Sequence, residues 1–264
     1  RSGSSDILGP GMLTKLSFAA RPLVWCPVGW SCDAEEKDEV REVLDVTEDV
    51  PLPWNDAEVD VRHVYAVGGL VDDDWKPSAT VERYDYTSNT WSAVAPMSTP
   101  RYGHAVSVLR GQLYAAGGYD PSDERLSSVE RYSPASDSWS AVAAMSTPRP
   151  EFALGVCRGQ LYAVGGYGTA GSVERYDALS DTWSAVASMS VPRYGHAVAV
   201  AGENLYAIGG FNNNNLEKLS SVERYDPGSD SWCLVAPMSC SRFGYGVVVA
   251  RGHIHVVGGG VGEA

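Results

Sequence analysis

Positive charge is scarce in this sequence: 20 Lys and Arg stand against 33 Asp and Glu, a formal net charge of −13. Nucleic acid and anionic membrane both demand basic contacts, so neither is expected as a main partner. Cysteine is also sparse. Cys26, Cys32, Cys157, Cys233 and Cys240 are odd in number and irregular in spacing, with no Cys-x-x-Cys. That speaks against a disulfide framework or a zinc site and predicts reduced thiols in a cytoplasmic setting. A long hydrophobic run is missing too. The stretch from Leu13 to Trp30 is broken by Lys15, Arg21, Pro22 and Pro27, short of the ~20 apolar residues a spanning helix needs. Met12 to Ala20 has too short and too polar an apolar core for a secretory leader. The sequence opens with Arg1 rather than Met and is expected to be a fragment or an imperfect gene model.

Catalytic signatures are lacking as well. There is no Gly-x-Ser-x-Gly and no phosphate loop. His104 and His196 occupy equivalent places in a repeat and read as scaffold. His253 and His255 are spaced i, i+2 on a strand, with no third ligand nearby. The expectation is a non-enzyme with no cofactor and no metal.

What the sequence does have is a repeat. Gly-Gly pairs stand at Gly68-Gly69, Gly117-Gly118, Gly165-Gly166, Gly209-Gly210 and Gly258-Gly259. Val-Glu-Arg-Tyr recurs at Val81–Tyr84, Val129–Tyr132, Val173–Tyr176 and Val222–Tyr225, and a tryptophan follows each tyrosine by seven residues: Trp91, Trp139, Trp183 and Trp232. Such a period marks stacked units that cannot bury their faces alone. Each unit reads as four short strands, a to d, bounded by Gly, Pro, Ser and Asp. In the second unit these are Ala105–Leu109, Leu113–Ala116, Val129–Tyr132 and Trp139–Val142. Tyrosine and tryptophan each bring about 150–250 Å² of surface, suited to wedging between neighbouring sheets. Four-stranded sheets packed radially make a β-propeller.

The Gly-Gly doublet, the Tyr-x6-Trp spacing and the Pro-Met-Ser-x-Pro-Arg link resemble the kelch repeat, most nearly that of the kelch-like adaptor group, over about Val64 to Gly259. The expected fold is an all-β kelch-type propeller with about four and a half to five blades, six being usual in the family. Residues 1–60 are expected to form an acidic, partly irregular segment, and 61–264 the propeller. Three units are complete: 103–143, 152–187 and 195–236. Trp54–Asp60 is expected as a degenerate strand a of the first unit. Pro22–Trp30 is the best donor of further strands, and Ala34–Leu44 is a possible short helix or a solvated tail.

Strand order places the b→c and d→a loops on one face. Each of the four repeat tryptophans lies 26 residues before the next Gly pair, whereas the second Gly lies 15, 14, 10 and 15 residues before the Tyr. The length variation therefore sits in the b→c loops, where function is expected. Residues identical in every unit read as structural; those that differ on the loop face are recognition candidates. Arg101, Arg149, Arg193 and Arg242 fall in the first class. Buried pairing with Glu82, Glu130, Glu174 and Glu223 is expected, to be tested by a cycle of Arg193→Ala with Glu174→Ala. An arginine rim is the functional alternative, which keeps Arg101 and Arg193 among the candidate partner contacts.

The kelch-like adaptors contact peptides through the positions after the Gly pair and after the arginine. Carried over, the resemblance implies a partner-binding rim of Tyr102, Tyr119, Tyr167, Tyr194, Phe211 and Phe243. Trp75, Asp72–Asp74, Asp123, Glu124 and Asn212–Asn215 lie farther along the loops. The implied function is a non-catalytic module that binds a peptide or loop of a protein partner and recruits it to a cullin-type ubiquitin ligase. That role uses BTB and BACK regions, which residues 1–60 do not show. Actin-binding scaffold and copper-oxidase propeller are the alternative readings.

Overall fold

The computed structural model describes residues 63–71 and 75–261. All regular structure among them is strand, and no helix is long and apolar enough to cross a membrane. The first sheet has three strands, β1 (His63–Val71), β2 (Lys76–Asp85) and β3 (Thr90–Val94). The second has four: β4 (Ala105–Leu109), β5 (Gln112–Ala116), β6 (Val129–Ser133) and β7 (Ser138–Val142). The third has β8 (Ala153–Cys157), β9 (Gln160–Val164), β10 (Val173–Asp177) and β11 (Thr182–Val186). After β12 (Arg193–Tyr194) comes the fourth, made of β13 (Ala197–Ala201), β14 (Asn204–Ile208), β16 (Val222–Asp226) and β17 (Ser231–Val235), with β15 (Phe211–Asn212) inserted. Beyond β18 (Arg242–Phe243), a fifth sheet holds β19 (Gly246–Ala250) and β20 (His253–Val257), and β21 (Gly260–Val261) ends the described chain.

Each full sheet is an antiparallel meander, and the first strands of successive sheets touch: β4 with β8, β8 with β13, β13 with β19. These are blades of a propeller with the a strands innermost. Burial follows from that geometry. The b strands β5 and β9 are buried from their second residue on, because each blade has a neighbour on both faces. The d strands show Trp partly buried among exposed residues, as outer strands should.

The repeated aromatics sit between blades. Tyr132, Tyr176 and Tyr225 are buried and meet Tyr65, Tyr114 and Tyr162 of the preceding blade edge-on, with centroids 5.9, 5.7 and 5.7 Å apart. Each tryptophan adds a stitch: Trp139, Trp183 and Trp232 donate from Nε1 to the carbonyls of Ala95, Ala143 and Ala187 at 2.8, 2.9 and 2.9 Å. The same alanines donate their amides to Asp137, Asp181 and Asp230. Those carboxylates also accept the hydroxyls of Tyr132, Tyr176 and Tyr225. Backbone hydrogen bonds to these aspartates, first of all, hold them below the usual carboxylate range.

The Gly-Gly doublets end strands β5, β9, β14 and β20, and in the first blade they fall inside β1 at a bulge between Val67 and Gly69. They are compulsory where blades meet. A Cβ on Gly117 (φ 62°) would lie 2.4 Å from the Arg149 carbonyl, and one on Gly118 (φ 87°) 2.5 Å from that of Tyr102.

The two ends of the arc differ from its middle. Trp91 of the first blade is 51% exposed. The fifth sheet has two strands among the described residues. Beside it Tyr206, Val235, Met238, Ile254 and Val256 line an apolar groove of about 270 Å³, at the place where Tyr and Trp of a following hairpin pack in the other blades. Trp54–Asp60, Pro22–Trp30, Ala34–Leu44 and Asp72–Asp74 lie outside the described residues.

Candidate functional site: an aromatic rim

Each of Arg101, Arg149, Arg193 and Arg242 is followed by a residue that pairs, backbone to backbone, with the residue after the same blade's Gly pair. Tyr102 and Tyr119 exchange hydrogen bonds of 3.1 and 2.8 Å. Tyr167 donates to the Pro150 carbonyl at 2.9 Å. β12 pairs with β15, setting Tyr194 opposite Phe211, and β18 pairs with β21, setting Phe243 opposite Gly260. The d→a link and the b→c loop therefore share a face in every blade where both are described.

This pairing gathers the six aromatic candidates. Tyr102 stacks on Tyr119 at 5.0 Å and Tyr194 on Phe211 at 5.4 Å. Tyr167 meets Tyr194 edge-on at 5.2 Å, and Phe211 meets Phe243 at 5.1 Å. All six are accessible in part, Tyr167 the most at 37% exposed. The Tyr102 hydroxyl donates to Asp123 at 2.5 Å. Burial, with that carboxylate second, pushes the phenol far above its ordinary range. Asn213 ties the third and fourth blades together, donating to the Gly166 carbonyl at 2.9 Å and accepting from Gly168 at 3.1 Å.

Arg101 and Arg193 do not belong to this rim, which corrects the expectation that they are partner contacts. With Arg149 they are 0% exposed, and the two terminal nitrogens of each guanidinium donate inside the blade. Arg193 donates to the carbonyls of Gly209 and Ser221, both at 3.0 Å, and to Glu223 at 3.0 Å. Arg101 does the same with Gly117, Ser128 and Glu130. The planar fork thus clamps strand b to strand c. The pairing register also corrects the expected partner. Arg193 pairs with Glu223 of its own blade, and Glu174 belongs to Arg149 at 2.9 Å. The glutamates then accept from the link of the preceding d strand, as Glu223 does from Ser190 and Val191. Among the described residues Glu82 is exposed and meets no arginine, and the Arg242 side chain donates only to the Gly258 carbonyl, at 2.8 Å.

Three charged rim residues went unnoticed in the sequence. Arg125 lies 4.9 Å over the Tyr167 ring and Lys218 lies 4.8 Å over Phe243. Glu151 links three blades: its amide donates to the Gly103 carbonyl and its carbonyl accepts from the Gly195 amide, both at 2.8 Å. The signal was available. Gly103, Gly195 and Gly244 follow the Arg-aromatic pair elsewhere, and the third unit reads Arg149-Pro150-Glu151. Glu151 keeps the glycine conformation, φ 53°. Burial raises its carboxyl above the ordinary range.

His196 is buried and His104 partly buried, with the ring nitrogens of both shielded from solvent, at the place taken by Phe152 and Tyr245 in other units. His253 and His255 are exposed with rings 6.5 Å apart. Cys157, Cys233 and Cys240 are free thiols.

A model of the KLHDC2/KLHL20/DRC7 Kelch-repeats domain matches residues 57–259. The chain belongs to the kelch-repeat family. Kelch-like protein 15 of Gallus gallus is 40% identical over 76 residues, which is 28% of this chain and 15% of that protein. Kelch-like protein 13 of Homo sapiens is 33% identical over 66 residues, 25% of this chain and 10% of that protein. The matched kelch segment thus spans a small part of these relatives. The solved structure of YjhT superposes with a TM-score of 0.62 at 16% identity, over 76% of this chain and 78% of that one, and so shares the propeller fold.

Proposed function

We propose that this kelch domain is a non-catalytic protein-interaction module that grips a peptide or loop of a partner on the rim of Tyr102, Tyr119, Tyr167, Tyr194, Phe211 and Phe243. The observation that carries the reading is the convergence of six accessible rings on one face through the paired d→a and b→c segments. Aromatic side chains on a rigid scaffold are what binding hot spots favour. The buried Arg–Glu clamps support it further, since the rim can vary without loosening the blade beneath.

The resemblance to kelch-like adaptors extends the proposal to recruitment of the partner to a cullin-type ubiquitin ligase, which co-purification of a cullin with the tagged chain in cells tests. For the rim itself, the test is Tyr119→Ala with Tyr194→Ala. Partner binding is expected to fall while the unfolding midpoint stays near wild type. Undiminished binding by the folded double variant rejects this face.

A further inference from the structure

Glu151 takes a left-handed conformation, φ 53°, at a place where the other units carry glycine. Its counterparts are glycines with φ between 57° and 63°, and a Cβ at such angles costs free energy. Strain of this kind is retained where the side chain serves a purpose. The Glu151 carboxylate makes no ion pair and accepts no hydrogen bond among the described residues. It is half-buried and acts electrostatically on Tyr102, Tyr119 and Tyr194. Its Cγ lies beside Gly103, against which Tyr119 also packs.

Three properties of the site converge on one ligand chemistry. The first is an uncompensated carboxylate at the foot of the rim. The second is the flanking phenol rings, whose faces attract cations; the rim already shows this, with Arg125 over Tyr167 and Lys218 over Phe243. The third is the acidic surround, with Asp120, Asp123 and Glu124 in the adjoining b→c loop.

We propose that Glu151, with Tyr102, Tyr119 and Tyr194 around it, is the receptor for a basic side chain, arginine or lysine, of the partner peptide. The inference rests on the rim reading and goes beyond it by naming the charge of the residue bound. An incoming guanidinium would form a charge-assisted bond with the carboxylate while its plane lies against a phenol ring.

The test is selection of a random seven-residue peptide library on the full chain. A selected peptide is then measured against Glu151→Gly, Glu151→Gln and the Tyr119→Ala/Tyr194→Ala variant. Selected sequences are expected to share an arginine or lysine. Glu151→Gln and replacement of that arginine by citrulline should each weaken binding by about tenfold or more. Glu151→Gly should weaken binding likewise and raise the thermal midpoint, since glycine is native to that place in the other blades. Peptides that depend on Tyr119 and Tyr194 but bind Glu151→Gln as tightly as wild type overturn the basic-residue inference and leave the rim standing. A selection that yields no peptide dependent on those tyrosines overturns both.

Discussion

Arg193 illustrates what a single side chain does in this fold. Its guanidinium is wholly buried and bridges strands b and c to Glu223. Removing one member strands the other's charge, so Arg193→Ala is expected to cost about 3–5 kcal/mol. In urea titrations the double variant with Glu223→Ala should be less destabilised than the sum of the singles. The pair Arg193→Ala with Glu174→Ala should be additive, because Glu174 serves a different clamp. Acid should act through His104 and His196, whose burial, with Arg101 and Arg193 nearby, depresses them to about 4 and about 3. Between those values and about 6.5 the unfolded chain binds protons that the native chain refuses. Stability therefore falls as pH drops through that window, by roughly 2–3 kcal/mol per histidine by pH 4.5. Glu130 adds to the loss at lower pH: burial raises its pKa, but bonds from Ser98 and Arg101 outweigh that and hold it low. His104→Phe with His196→Phe, copying Phe152, should flatten the melting temperature between pH 7 and 4.5.

At the scale of the element, the sequence was readable because blade packing forces the same residues to recur. The strand limits, the Gly-Gly ends of β5, β9 and β14, and the burial of Tyr132, Tyr176 and Tyr225 all follow from that recurrence. The partner of each arginine was not readable, since four glutamates share one motif and only the meander's register decides among them. Glu151 was overlooked for the opposite reason: it departs from the repeat by one residue, and its place between Gly103 and Gly195 emerges only when three blades are hydrogen-bonded together. The glycine doublets offer an internal comparison. A Cβ on Gly165 (φ 62°) meets the Arg193 carbonyl at 2.6 Å and His196 at 2.9 Å, whereas one on Gly258 (φ 74°) meets nothing within 4 Å among the described residues. Both alanine variants carry the left-handed penalty of about 1–2 kcal/mol. Gly165→Ala should exceed Gly258→Ala by at least another ~2 kcal/mol in chemical denaturation, from overpacking at the blade interface.

For the whole molecule, the arc of blades has one end whose packing is incomplete among the described residues. Tyr206 stands where Tyr65, Tyr114 and Tyr162 each hold a partner ring, and Ala236 where Ala95, Ala143 and Ala187 each hold an indole. Fusing a hairpin of the form Val-Glu-Arg-Tyr-x6-Trp to the C-terminus should fill the groove and supply Arg242 with a glutamate. The expected result is a higher melting temperature; an unchanged melting temperature would refute the arrangement.

The same feature sets the order in which the protein comes apart. β19 and β20 share one ladder, while β14 is paired along both of its edges. Amide protons of His253 to Val257 should trade with deuterium through small local openings, and those of Asn204 to Ile208 only when the whole arc lets go.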